Sequence, residues 1–385
     1  MMETFWGYRR ENGTVGVRNM VGVVSAMDNV NPVTRAICSH VRNSLPITTL
    51  FVRGQFGRDE ATTVRALVGL GSNPNIGACL VVGLEPTTTF RLSERIAKTG
   101  KPIETVIVQQ VGSTIEAMAQ GIRKAQRLAI AISNIRPTEC SVEDLTVGVE
   151  CGGSDTTSGV ASNPAIGHVA DRVIDLGGRV VISETSEFLG AEHLFAERAV
   201  TPEVRDRIIR AVREVEESAL REGVDMRGSN PVPDNIRGGL TTIEEKALGA
   251  MVKAGTRPVQ GVLDYAESPA GGGLWMMDTP APAVESMTGL AAGGCQLILF
   301  STGVGNTIGS AVSPTIKITG NENTVRKFVD NIDFDVSDIL TADVSVEDAG
   351  SRLCQFMLNV ASGALTTSEA LFQVETGISR FGPTV

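Results

Sequence analysis

The stretch Cys151-Gly152-Gly153-Ser154-Asp155 places several reactive groups at one point of the chain. A short apolar run, 147–149, ends at Glu150 and Cys151, and a turn of Gly, Ser, Thr and Asp follows. Residues 161–165 then read as a helix entry. Ligands of open α/β sheets sit at the carboxyl ends of strands. A turn of small polar residues lets backbone N–H groups, hydroxyls and one carboxylate approach a small anion. Ser154 and Asp155 are therefore candidate substrate contacts. The plainer reading is a tight strand–helix connection, which needs glycines but not Cys, Glu and Asp together.

A second group follows the run 179–182. Ser183-Glu184-Thr185-Ser186-Glu187 and Gly190-Ala191-Glu192-His193 bring three acids and a histidine within about ten residues. Oxygen and imidazole donors suit Mg²⁺, Mn²⁺ or Fe²⁺, and a carboxylate or imidazole also serves as a general base. Glu184, Glu187 and His193 are candidates for both roles, against the alternative of a solvated acidic loop. Glu192 and His193 are adjacent, so on a helix at most one of them faces a given point.

Two further turns are notable. Arg9, Arg10, Arg18 and Asn19 surround a glycine-rich hairpin within 7–19. Arginine forks bind carboxylate, phosphate or sulfonate in two-point geometry, although solvated surface arginines are the simpler alternative. The run 294–306 ends in Thr302-Gly303-Val304-Gly305-Asn306, which resembles an anion-binding nest. It lacks the lysine of a P-loop and the spacing of a dinucleotide fingerprint. Thr302, Gly303 and Asn306 are candidate substrate contacts. Lys317 lies between apolar residues in Thr315-Ile316-Lys317-Ile318. Burial would depress its pKa and fit it to act as a base or an electrostatic clamp; an edge-strand lysine is the alternative.

These groups need a scaffold of strands ending in polar turns. Strand-like runs at 20–26, 48–52, 78–84 and 105–109 alternate with helical patterns at 32–42, 59–68, 90–98 and 114–131. Such βαβα order predicts a parallel sheet covered by helices. Residues 134–144 read as a linker. A second set of strands follows at 145–149, 179–182, 296–300 and 315–318. Helices are expected at 166–176, 241–252, 281–292 and 345–360, with a further one opened by Thr201-Pro202 and ended before Gly223, and 227–239 reads as a long loop. The expectation is an α/β chain of two domains, 1–140 and 141–385, with mostly parallel sheets.

Bulk composition agrees with a globular enzyme. The chain has 385 residues, 42% hydrophobic, 20% charged and only 4% aromatic, with 42 glycines and a net charge of -10. Without a basic patch or aromatic platforms, nucleic acid and anionic membrane are not expected partners. The six cysteines are scattered, with no CxxC pair. No signal peptide or membrane-spanning run is visible, which points to the cytoplasm.

Several blocks occur in a fixed order: Gly-Tyr-x-Arg-x-x-Gly-x-x-Gly-x-Arg-Asn (7–19), Asn-Pro-Asn (73–75), Cys-Gly-Gly-Ser-Asp (151–155) and Ser-Asn-Pro-Ala-Ile-Gly (162–167). Ser-Glu-Thr-x-Glu (183–187), Gly-Ala-Glu-His (190–193), Thr-Gly-x-Gly-Asn (302–306) and Ile-Lys-Ile-Thr-Gly-Asn (316–321) follow. Together they resemble the altronate/galactarate dehydratase family over essentially the whole chain. The resemblance implies a lyase that removes the C2 proton of a small acidic 2-hydroxy acid, expels a C3 group and yields a 2-keto acid. It also implies a small SAF-like subunit on a separate chain, an oligomer, and a divalent metal, Fe²⁺ first with Mg²⁺ or Mn²⁺ as alternatives. Cys151, Glu184 and His193 are then the candidate metal set, and Lys317, Glu184, Glu187 and His193 the candidate catalytic residues. Gly54-Gln55-Phe56-Gly57 and Glu85-Pro86 resemble a branch that expels sulfite from sulfolactate, whereas Gly153 fits the dehydratase form. A binding subunit without turnover is the alternative from another class.

Overall fold

Two parallel sheets flanked by helices carry the chain, and a small antiparallel sheet pairs the N-terminal hairpin with residues 138–141. The computed structural model describes residues 3–50, 52–380 and 382. β1 (Thr4–Arg9) and β2 (Val15–Gly16) form a hairpin. β3 (Met20–Ser25), β4 (Ser44–Ile47), β5 (Ile76–Gly83) and β6 (Ile103–Ile107) make a parallel sheet in the order β4-β3-β5-β6. Helices Asn31–His40, Gly57–Ser72, Pro86–Ala97 and Thr114–Ile132 surround it. β5 is buried at every residue, as an unbroken apolar run requires when helices cover both faces of a sheet.

Three local expectations change here. The strand expected at 48–52 lies at Ser44–Ile47; it is the edge strand, where Pro46 costs no ladder hydrogen bond. Phe51 of that expected strand lies outside the described residues. The strand expected to reach 109 stops at Ile107, where the helical turn Val108–Val111 begins. The segment 134–144 is more than a linker: β7 (Thr138–Ser141) pairs antiparallel with β1. Phe5, Val15, Val17, Cys140 and Val142 thereby join the core of the second parallel sheet.

That sheet contains β8 (Thr146–Cys151), β9 (Arg179–Ile182), β10 (Val259–Leu263), β11 (Gly273–Met277), β12 (Leu297–Ser301), β13 (Thr315–Thr319) and β14 (Phe334–Asp335). Its order is β10-β11-β9-β8-β12-β13-β14, and all its pairings are parallel. The chain leaves β8 toward β9 on one side, while β12 on its other side leads on to β13 and β14. Strand order thus reverses between β8 and β12, which is where open α/β sheets bind ligands. β10 and β11 are not expected from the sequence, because Gln260 and Gly261 break the apolar run of β10 and the run of β11 is short and follows directly on Gly271-Gly272-Gly273. The Trp275 ring occupies the space over Gly261.

Helix Pro202–Arg221 follows its sequence signals, with Thr201 as N-cap accepting Val204 N–H and Ile208, Ala211 and Val212 buried. The expected loop 227–239 instead holds short helices Met226–Ser229 and Pro233–Arg237. Asn235 Nδ2 donates to the Ser154 carbonyl and docks this segment on the β8 turn.

The two parallel sheets are joined through Asn73-Pro74-Asn75. Asn73 Nδ2 donates to the carbonyls of Ala291 and Cys295, and Asn75 Nδ2 to those of Gln296 and Val312. Helix Gly57–Ser72 packs on helix Ala283–Ala292 so closely that a Cβ on Gly69 would lie 2.2 Å from the Ala292 carbonyl oxygen. Among the described residues no helix is long and apolar enough to cross a membrane.

Candidate active site

Side chains alternate across a strand, so Glu150 and Cys151 at the end of β8 leave opposite faces of the sheet. Glu150 is fully buried. Its Oε2 accepts hydrogen bonds from Ser183 Oγ at 2.5 Å and Ser286 Oγ at 2.6 Å. Its Oε1 is buried and has no hydrogen-bond partner among the described residues. On the other face Cys151 meets Glu184, the second residue past β9. Cys151 N–H donates to Glu184 Oε2 at 3.0 Å, and Cys151 Sγ lies 3.3 Å from the same oxygen.

Lys253 completes the group. It lies in the 3-10 turn Val252–Ala254 that ends helix Ile243–Met251. Its Nζ is 2.8 Å from Glu184 Oε2 and 3.2 Å from Cys151 Sγ. The expected helix over 241–252 stops one residue short of it, and a lysine at a helix end reads as a solvated cap. Nearby, Lys246 Nζ binds Glu187 Oε1 at 3.0 Å and Asn230 Oδ1 at 2.9 Å.

Glu184 is strained. Its φ is 67°, in the left-handed region that non-glycine residues rarely adopt. Its N–H donates to Thr279 Oγ1 at 2.8 Å, and Thr279 Oγ1 donates to Ser286 Oγ at 3.2 Å. Ser286 in turn donates to Glu150. One hydroxyl chain therefore ties the backbone of Glu184 to the carboxyl of Glu150 through the sheet.

The electrostatics follow from burial. Desolvation pushes the Glu184 carboxyl above its usual range, against the opposing pull of Lys253. Desolvation, then the Glu184 charge, pushes Glu150 well above that range. Desolvation and Glu184 also raise the Cys151 thiol, which keeps it protonated and inert as a nucleophile. Burial opposes charge on Lys253, but the contact with the Glu184 carboxylate outweighs it and holds its pKa above the ordinary lysine range. A raised carboxyl beside a charged lysine can take a weakly acidic C–H proton while the ammonium steadies the developing anion.

Glu184 and Glu187 thus belong to the cluster, and Cys151 lies at its centre. His193 does not join them: it is exposed on helix Glu192–Ala196. The trio Cys151, Glu184 and His193 fails as a metal set, because only two of its members meet and the Lys253 ammonium contacts both. Among the described residues no three His, Cys, Asp or Glu side chains group as metal ligands.

The arginine reading is corrected by geometry. Arg10 gives its guanidinium to Pro74 O, Asn19 Oδ1 and Arg18 O. Arg18 donates to Glu369 from Nε and Nη2, to the Ala364 carbonyl also from Nη2, and to the carbonyls of Val17 and Val360 from Nη1. Asn19 Nδ2 donates to Ile132 O. Arg9 is half-exposed, 3.6 Å from Asp144. These residues cap carbonyls and hold the chain ends together, because the hairpin packs at the amino end of β8 and not the carboxyl end.

The 302–306 turn closes on the β8 turn. Gly303 and Val304 N–H donate to Gly153 O, Gly305 N–H to Thr302 Oγ1, and Ile308 N–H to Asn306 Oδ1. It is no open anion nest. Asp155 Oδ1 accepts from Thr157 Oγ1 and Ser158 N–H, and its Oδ2 accepts from Asn321 Nδ2. Ser154 is half-buried beside it. A cleft of about 580 Å³ lies over these turns, lined by Asp155, Thr157, Arg237, Val304 and Asn321. Lys317 is buried on the Glu150 face, two strands away across Phe300. Its Nζ binds Ile308 O at 3.0 Å and Gln373 Oε1 at 2.9 Å, and burial lowers its pKa to about 8. It ties down the C-terminal segment and has no contact with the Glu184 group.

Comparison with known proteins agrees with this architecture. Residues 7–133 match the family described as D-galactarate dehydratase/altronate hydrolase, second domain, and residues 142–384 match D-galactarate/altronate dehydratase, C-terminal. The chain is 40% identical over 379 residues to (2R)-sulfolactate sulfo-lyase subunit beta of Chromohalobacter salexigens, covering 98% of this chain and 97% of that one. It is 31% identical over 394 residues to altronate dehydratase of Bacillus subtilis, covering 99% and 78%. It is 29% identical over 406 residues to galactarate dehydratase (L-threo-forming) of Escherichia coli, covering 99% and 77%. The chain therefore belongs to the galactarate/altronate dehydratase family of lyases.

Proposed function

We propose that this protein is the large subunit of a two-chain lyase that eliminates sulfite from (2R)-sulfolactate to give pyruvate. The observation that carries the reading is the 40% identity, nearly end to end, with a protein of that name, against 31% and 29% for the two dehydratases. Glu184 serves as the base, and Lys253 sets its charge and steadies the enolate. Base attack removes the C2 proton, its electron pair forms the C2–C3 double bond, and the C3–S bond breaks with its pair going to sulfite. The enol then takes a proton at C3 and loses the hydroxyl proton to become the 2-keto acid.

Sulfite leaves without protonation, so this elimination needs one strong base and no matching acid. A sugar-acid dehydratase is the second reading, because hydroxide needs an acid and Glu150, with its raised carboxyl, is of that type. The test is to incubate the protein, together with a small partner chain, with (2R)-sulfolactate and measure sulfite and pyruvate. Equal amounts of both support the reading. No sulfite, but a 2-keto-3-deoxy acid from a hexonate, overturns it in favour of the dehydratase.

A further inference from the structure

β9 and β11 lie side by side in the second parallel sheet, with Ile182 opposite Met276. The residues just past their ends, Glu184-Thr185 and Asp278-Thr279, leave the sheet together and are locked by hydrogen bonds. Thr185 N–H donates to Thr279 O at 3.0 Å, and Thr279 N–H donates to Thr185 Oγ1 at 3.1 Å. Thr185 Oγ1 donates to Asp278 Oδ1 at 2.7 Å, and Glu184 N–H donates to Thr279 Oγ1 at 2.8 Å. Thr185 and Thr279 are buried, so each of these bonds, if unmade, would leave a buried group unpaired.

Glu184 has φ of 67° and ψ of 62°, a backbone state that a non-glycine residue keeps only where its surroundings hold it. That state turns the carboxylate back to the end of β8, where Oε2 accepts from Cys151 N–H and meets Lys253 Nζ. In the right-handed or extended region the Glu184 side chain would leave in another direction and lose both contacts. Thr279 is suited to prevent this. A hydroxyl gives one proton and offers two lone pairs. Thr279 gives its proton to Ser286 Oγ at 3.2 Å, and Ser286 gives its own to Glu150 Oε2 at 2.6 Å. The ends fix the direction of this chain, since a backbone N–H only donates and Glu150 Oε2 accepts from both Ser183 and Ser286. A lone pair of Thr279 Oγ1 is thereby kept for Glu184 N–H. Valine has the same shape and no lone pair.

We propose that Thr279 is a positioning residue whose hydroxyl holds Glu184 in its left-handed turn and so keeps the carboxylate on Lys253. This rests on Glu184 acting as the base in the lyase reading above. The titratable groups around Glu184 are Lys253, Glu187 and Cys151, with Glu150 across the sheet. Of the charges, Lys253 favours the ionised carboxyl and Glu187 opposes it. A Glu184 carboxyl that drifts away from Lys253 holds its proton more tightly and ionises at higher pH. Loss of the Thr279 hydroxyl therefore changes both the aim of the base and the pH at which it is ready.

The test compares wild type, Thr279→Val and Thr279→Ser in the two-subunit enzyme, on (2R)-sulfolactate across pH. Thr279→Val lowers kcat about tenfold to a hundredfold with KM nearly unchanged, and the acidic limb of its kcat profile moves to higher pH. Thr279→Ser keeps the hydroxyl and restores both. An unchanged kcat, a fall in kcat with the limb unmoved, or equal damage in Thr279→Ser overturns the proposal. Thr279→Ala carries the same comparison where Thr279→Val does not fold. Amide hydrogen exchange of residues 183–187, read without substrate, tests the clamp independently of turnover. Exchange there is faster in Thr279→Val than in wild type or Thr279→Ser, and equal exchange in all three overturns the proposal. Where wild type turns over a hexonate and not sulfolactate, the sulfo-lyase reading fails alone, and the pH profiles are read on the hexonate. Where Glu184→Gln keeps wild-type turnover, the base assignment fails alone, and the exchange measurement still decides whether Thr279 holds the turn.

Discussion

Lys253 Nζ sits 2.8 Å from Glu184 Oε2, and both side chains are at most 3% exposed. An ion pair this deep contributes little net stability, since desolvation offsets its Coulomb attraction. Its place at the end of β9, beside a residue with a strained backbone, is better explained by chemistry at that point.

Removing the base should leave the fold standing. Glu184→Gln keeps an acceptor for Cys151 N–H and for Lys253, but cannot take a proton. Turnover should fall about a thousandfold with a small change in KM and an unchanged far-ultraviolet circular dichroism spectrum. Activity within about tenfold of wild type would remove Glu184 from the mechanism.

Removing its partner should do both kinds of damage. Lys253→Met strands a buried carboxylate and should cost about 3–5 kcal/mol of stability at neutral pH, read from denaturant midpoints. The loss should shrink as pH falls, because protonating Glu184 removes the uncompensated charge. A pH-independent loss would mean that the pair is not ionised in the folded chain.

Glu150 titrates in the opposite sense to a salt-bridged surface acid. Its folded pKa is raised above the unfolded value, so the folded state binds its proton more tightly. The stability it contributes is present below the ordinary carboxylate range and lost as pH rises through the folded value. Glu150→Gln imitates the neutral acid, accepts from Ser183 and Ser286, and should be progressively more stable than wild type as pH rises above that range. Parallel stability curves for the two proteins would show that Glu150 is ionised throughout.

Lys317 provides a structural control. Its folded pKa is about 8, below that of a free lysine at about 10.4. The unfolded chain holds the extra proton between these values, so wild-type stability should rise with pH across that window relative to Lys317→Met. Lys317→Met should also loosen the C-terminal segment held by Gln373, which limited proteolysis detects. A loss of turnover matching that of Glu184→Gln would return Lys317 to the chemistry.

Much of the architecture is legible in the chain. Unbroken apolar runs place β3, β5, β8 and β9, and Thr201-Pro202 and Gly223 bound the longest helix. Cys151, Glu184 and Glu187 stand out because reactive side chains follow buried strands. Lys253 is illegible, since Val-Lys-Ala-Gly after a helix looks like a solvated end and only the tertiary fold buries it. Ser286 is hidden in the same way, as a small residue in an apolar helix. Arg10 and Arg18 mislead for the converse reason: donor-rich side chains among glycines resemble anion hooks until the carbonyls they cap are in place.

The decisive experiment is sulfite and pyruvate release from (2R)-sulfolactate by the two-subunit enzyme, wild type beside Glu184→Gln. Wild type should release one sulfite per pyruvate, and the variant should lose about a thousandfold in rate. Absence of sulfite from the wild type, or near-equal release by both proteins, would contradict sulfite elimination with Glu184 as the base.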